Sequence, residues 1–144
     1  SGWLHKLATN EKLRLPIIHH PAYSGGFVSP GVSGIADYLQ LGFFPRLFGA
    51  DMMVFVSYGG RFTFTQEQCK RIAAYIKHPV GLVKAGCPAP GGGVTDARLT
   101  ELVELYGNDT MFLVGGDMFR RGPDLESNMA YFVNRLEELS QLKQ

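Results

Sequence analysis

"PAPGGGVTDARLTELVELYGNDTMFLVGGDMFRRGPDLESNMAYF", Pro88 to Phe132, carries two glycine clusters, each between an apolar run and a helical pattern. Gly91, Gly92 and Gly93 form the first, Gly115 and Gly116 the second. Ordering glycine costs more backbone entropy than ordering any other residue, so the repetition needs a reason. Backbone without side chains lets a ligand approach closely, and N–H groups at a helix start favour an anion. Two clusters after successive apolar runs point to a phosphate held by both loops. The plainer reading is a pair of tight strand-to-helix turns.

Working outward, four apolar runs stand out: Leu15–His20, Asp51–Tyr58, Val80–Gly86 and Thr110–Gly116. Each is nearly continuous rather than alternating, as strands buried on both faces should be. A loop with Gly or Pro and then a helical pattern follows each. Thr65 with Gln68 has capping-box spacing, and Cys69, Ile72, Ala73 and Ile76 then fall on one helix face. Thr95 is the expected cap of a helix burying Leu99, Leu102, Val103 and Tyr106 and ending at Gly107. Asp124 is the expected cap of a helix with Leu125, Met129, Phe132, Val133 and Leu136 inward. The first unit's helix, Val32–Leu47, is interrupted by Gly34, Gly42 and Pro45. The fold class is α/β, with four consecutive β-α units over residues 1–144 and a helical remnant at the N-terminus. Alternation implies a parallel sheet with right-handed crossovers. An open doubly wound sheet and half of an eight-fold barrel both fit. In either, ligands bind at the C-terminal ends of the strands, where the glycines fall.

Composition excludes several functions. A formal net charge of +1, with no face rich in Lys and Arg, argues against nucleic acid and anionic membrane as partners. Cys69 and Cys87 have no metal-ligand spacing and suggest a reduced, cytoplasmic setting. No apolar run reaches membrane-spanning length, and the first residues, "SGWLHKLATNEKLRL", lack a signal-peptide core.

The Pro88–Phe132 stretch resembles the C-terminal barrel half of the RuBisCO large chain and, more closely, the RuBisCO-like (form IV) proteins. Gly49–Phe62, with "VSYGGRF", resembles the family's sixth barrel strand and mobile loop. "HHPAYSGG" (His19–Gly26) resembles the fifth strand in its RuBisCO-like form. The resemblance implies that the four units are strands five to eight of a (β/α)₈ TIM barrel. It implies that Gly92, Gly93, Gly115 and Gly116 hold a substrate 1-phosphate through their amides, and that His20 is an active-site histidine. Where true carboxylases carry a phosphate-binding arginine, a strand-six histidine, a strand-seven serine and a mobile-loop lysine, this chain has Pro21, Val54, Gly91 and Arg61. The first two departures remove partners of a second phosphate. The last replaces an ammonium by a planar guanidinium, which is not conservative.

The function the resemblance implies is that of a RuBisCO-like enzyme fragment. The parent would enolise, isomerise or decarboxylate a phosphorylated keto-sugar through a Mg²⁺-stabilised enediolate, and would not carboxylate a bisphosphate. This chain would supply the phosphate-binding loops. The family's metal ligands, a lysine and two acids in a KxDxE-like cluster, have no counterpart here, so no metal ligand is assigned and the isolated chain is expected to be inactive. The alternative is a non-catalytic α/β phosphate-binding or assembly module. His20 and Arg61 are the catalytic candidates: imidazole titrates near neutrality, and a guanidinium grips carboxylate, phosphate or enolate oxygens. Ser57 and Tyr58 are weaker candidates for the same cavity, and Arg120 and Arg121 are more ordinary turn charges. His19 is expected on the opposite face of its strand. An open half barrel exposes apolar surface, so self-association into a homo-oligomer is expected.

Overall fold

The computed structural model describes residues 2–22, 24–28, 34–61 and 64–141. Helices and strands alternate: α1 (Gly2–Ala8), β1 (Ile18–His19), α2 (Gly25–Val28), a π-helix (Leu39–Phe43) running into α3 (Phe44–Leu47), and β2 (Met52–Val56). There follow α4 (Gln66–Lys77), β3 (Cys87–Gly91), a 3₁₀ turn (Asp96–Arg98) running into α5 (Leu99–Tyr106), α6 (Gly116–Arg120) and α7 (Leu125–Gln141). The strands form a parallel sheet in the order β1-β2-β3, so their C-terminal ends share one side. This is the α/β fold expected, with a smaller sheet than four full strands would give.

The differences have local causes. The first strand is two residues long where Leu15–His20 was expected, because Pro16 lacks an N–H and Pro21 ends the run. The third strand is not Val80–Gly86. Val80 and Val83 instead exchange backbone hydrogen bonds of 3.0 and 2.9 Å across a tight turn, with Gly81 at φ +58° and Leu82 fully exposed. The strand that pairs with β2 is Cys87–Gly91, despite two prolines. Their carbonyls accept from the N–H groups of Met111 (2.9 Å) and Leu113 (3.1 Å). Pro88 and Pro90 have no N–H to return, so the ladder toward Thr110–Gly116 is only half made. That run accordingly contributes a single parallel bridge, Gly91 with Leu113, instead of a fourth strand.

The helix expected over Val32–Leu47 is shorter and irregular, and Val32 and Ser33 lie outside the described residues. Pro45 lacks the N–H that would bond back to Leu41, and the turn before it widens into the π-helix. Arg46, only 5% exposed, donates within its own segment to the Gly42 carbonyl and fastens the segment to the end of α4 by donating to the carbonyls of Ile76 and His78, and also to that of Lys84.

Period-2 alternation sorts β2 between two environments. Met53 and Phe55 enter the main core with Cys69, Ile72, Ala73 and Ile76 of α4 and Leu99, Leu102, Val103 and Tyr106 of α5. Val54 and Val56 border a cavity, which Phe55 also reaches. The expected Thr65 capping box is complete: its hydroxyl accepts from the Gln68 N–H, and the Gln68 side chain accepts from the Thr65 N–H. Thr95 precedes the 3₁₀ turn but makes no side-chain cap there, and Gly107 ends α5 at φ +77°. Asp124 accepts from the Ser127 N–H at 3.1 Å, as an N-cap should.

The inward face of α7 differs from expectation. Phe132, Leu139 and Asn128 are buried, whereas Leu125, Met129 and Val133 are nearly half exposed. The Asn128 amide donates to the carbonyls of Met118 and Gly122, both at 3.0 Å, satisfying the end of α6. That polar bond takes the inward position and rolls the apolar stripe outward.

Candidate functional site

Because all three strands run the same way, the loops after them converge. They surround a cavity of about 1380 Å³. His20 follows β1, Arg61 lies between β2 and α4, Gly92 and Gly93 follow β3, and Gly115 and Gly116 begin α6. All six line the cavity, so the structure brings the two catalytic candidates and the four candidate phosphate-binding glycines to one place. Pro21, Val54 and Gly91, the other positions singled out in the sequence, line it too.

The glycines there differ in what they require. Gly92 and Gly93 have φ of +76° and +71°, a region that side chains rarely adopt. Gly115, at φ −118°, has no such constraint, and a Cβ on it would meet nothing within 4 Å. A Cβ on Gly116 would meet only the end of Arg120, at 3.6 Å. The protein's own packing therefore does not call for glycine at 115 or 116. Among the described residues, no Asp or Glu lines the cavity. Its polar side chains are His20, Ser24, Arg61, Thr65 and Gln68, and much of the rest is aliphatic or aromatic.

His19 and His20 part company. His20 is exposed to the cavity, while His19 is half-buried with its Nδ1 buried and without a hydrogen-bond partner among the described residues. Burial, and then the neighbouring His20, hold the His19 imidazole below its ordinary pKa. Ser57 and Tyr58 do not line the cavity. The Ser57 hydroxyl is buried against the Tyr106 hydroxyl at 3.2 Å, on the helix side of the sheet. The Tyr58 hydroxyl is bonded to Glu101.

Two residues acquire roles that sequence spacing does not mark. The Asp117 carboxylate accepts from the Asp96 N–H (2.8 Å) and from Arg120 (3.0 Å), tying the start of α6 to the turn before α5. Arg98 donates to the carbonyls of Tyr58 (2.8 Å) and Gly93 (2.9 Å), joining the β2 and β3 loops. In both cases key partners are main-chain groups, which leave no pattern in the side chains. Arg121 stacks over the Tyr131 ring at 3.5 Å and faces Asp96 at 3.8 Å.

No family model matches the chain. It is similar to ribulose bisphosphate carboxylase-like protein 1 of Rhodopseudomonas palustris, 36% identical over 127 residues, covering 88% of this chain and 33% of that protein. It is 36% identical over 103 residues to 5-methylthioribulose-1-phosphate isomerase of Rhodospirillum rubrum, covering 72% of this chain and 28% of the relative. A 2,3-diketo-5-methylthiopentyl-1-phosphate enolase of Exiguobacterium sibiricum is 33% identical over 113 residues, covering 78% and 28%. The crystal structure of a RuBisCO-like protein from Alicyclobacillus acidocaldarius superposes with a TM-score of 0.84 at 27% identity, over 96% of this chain and 35% of that one. The chain belongs to the RuBisCO-like family. It spans about a third of the length of the relatives it matches. Within this RuBisCO-like chain, the positions that resemble departures from the carboxylases (Pro21, Val54, Gly91 and Arg61) all border the glycine-lined cavity.

Proposed function

We propose that this chain forms the phosphate-binding side of a RuBisCO-like enolase or isomerase site, acting on a keto-sugar that carries one phosphate and a less polar far end. The observation that carries this reading is the second glycine pair. Gly115 and Gly116 line the cavity at positions where the chain itself has room for a side chain. A ligand that must approach the backbone supplies the missing reason. With no acidic wall among the described residues, an anion meets backbone N–H groups and Arg61 instead of repulsion. Val54, Val56, Phe112 and Leu113 also line the cavity and offer nothing to a second phosphate. The names of the isomerase and enolase relatives describe substrates with one phosphate and a methylthio end, which agrees with such a cavity.

In this reading the glycine amides hold the phosphate and fix the sugar's position. His20 is placed to accept or deliver a proton at a substrate oxygen or carbon, and Arg61 to face oxyanion charge that develops beside it. Among the described residues no three His, Cys, Asp or Glu side chains gather to hold a metal ion. With no carboxylate among the described lining residues either, these residues by themselves do not fit Mg²⁺. The chain by itself is expected to bind phosphate without turning over substrate.

The test is an amide NMR titration with inorganic phosphate and then a pentulose 1-phosphate. Shifts concentrated at Gly92, Gly93, Gly115 and Gly116 support the cradle. A well-dispersed spectrum in which these four amides stay still rejects it.

A further inference from the structure

The geometry points to Arg98 as a positioning residue, one that fixes the Arg61 loop against the glycine cradle and so sets where Arg61 meets a bound sugar phosphate. The inference rests on the phosphate-binding reading above. Arg98 ends the 3₁₀ turn before α5 and does not line the cavity. Its Nη1 donates to two carbonyls from different loops, Tyr58 at 2.8 Å and Gly93 at 2.9 Å. Its guanidinium also lies over the Tyr58 ring, 4.5 Å from the centroid. Glu101 completes the clasp, meeting Arg98 Nε at 3.4 Å and the Tyr58 hydroxyl, while the Gln66 amide at the start of α4 donates to that same hydroxyl at 3.3 Å.

The loops are pressed together, backbone on backbone. A Cβ on Gly93 would sit 2.9 Å from the Gly60 nitrogen, and a Cβ on Gly60 would sit 3.1 Å from the Gly93 nitrogen. Gly60 immediately precedes Arg61, so whatever holds Gly60 to the cradle also holds the base of the Arg61 side chain. Arginine suits this task better than lysine. A planar fork can bridge two carbonyls and stack on a ring at once, whereas an ammonium is a point charge that does not stack flat.

A double-mutant cycle in pentulose 1-phosphate binding tests the assignment, using the full chain and the variants Arg98→Met, Arg61→Ala and both together. The expected result is a Kd raised about tenfold by Arg98→Met when Arg61 is present, and by less than about twofold in the Arg61→Ala background, a coupling typical of neighbours that act together. Arg98→Lys should recover part of the loss. Equal losses in the two backgrounds would mean that Arg98 serves only the fold or the cradle, and would overturn the proposal. If the parent chain binds no phosphate, the earlier reading fails, and ¹⁵N relaxation of Gly59, Gly60 and Arg61 decides the clasp separately. Greater mobility of these amides in Arg98→Lys supports it, and unchanged relaxation overturns it. The lysine variant also serves if the methionine variant does not fold.

Discussion

At Gly93 the backbone sits at φ +71°, and a Cβ would press on the backbone of Gly60. At Gly115 the backbone is at φ −118° and a Cβ would project into open space. One glycine answers a demand of the fold; the fold makes no such demand on the other, which the proposed function assigns to a ligand. Alanine separates the two. Gly93→Ala should lower stability by about 1–3 kcal/mol, the usual cost of a side chain held in the left-handed region. Gly115→Ala should leave the unfolding midpoint nearly unchanged, because glycine's flexibility in the unfolded chain gives alanine a slight advantage wherever it fits. Under the proposed function the same variant should weaken phosphate binding, since the new methyl would stand where the anion is proposed to approach. Denaturant midpoints and a phosphate titration on both variants check this. A Gly115→Ala chain with parental affinity would remove the ligand-based account of that residue.

Between elements, Asp117 joins α6 to the turn that begins α5. The Asp96 N–H, followed by Arg120, holds its carboxyl below the usual carboxylate range. A depressed folded pKa contributes stability that is complete above the unfolded value, about 3.9, and is lost as pH falls through the folded value. Asp117→Asn should therefore be less stable than the parent at neutral pH, with the gap closing below about pH 4. Parallel curves for the two proteins across that range would show that the charge of Asp117 contributes nothing. Packing between elements also decides what the sequence reveals. The helices α4 and α5 could be read because each buries one face against β2, so Ile72, Ile76, Leu99 and Leu102 recur with the helical period. The strand Cys87–Gly91 was hidden because its prolines argue against a strand, while the apolar run before it folds into a turn at Gly81. Outward rotation of α7 was hidden because Asn128 finds its partners in the carbonyls of Met118 and Gly122. The six candidate residues that line the cavity could be picked out for the opposite reason: they lie in loops or at a helix start, where glycine, histidine and arginine stand out from the core pattern. Arg98 and Asp117, held largely by main-chain groups, could not be seen until the loops were in place.

At the scale of the whole molecule, the outward stripe of α7 asks what covers it. Leu125, Met129 and Val133 recur every four residues and are 45%, 48% and 45% exposed, with Phe119 of α6 63% exposed. The cavity, which Met129 also lines, presents Val54, Val56 and Leu113. Burying such surface contributes roughly 25 cal/mol per Å², so a chain with these faces open gains by pairing them. The relatives are about three times longer, so they have further chain with which to cover the equivalent surface. Alone, this chain is expected to self-associate at micromolar concentration, and Val133→Lys to weaken that association, because a lysine ammonium resists burial in an apolar contact. Val133 is chosen because it belongs to the stripe without lining the cavity. Sedimentation velocity over a concentration series reads both effects. A parental chain that remains monomeric throughout defeats the expectation. If the parent associates and Val133→Lys does so equally well, the contact runs through the cavity face instead of α7. In that case phosphate and a second copy compete for one surface, and adding pentulose 1-phosphate should shift the chain toward monomer.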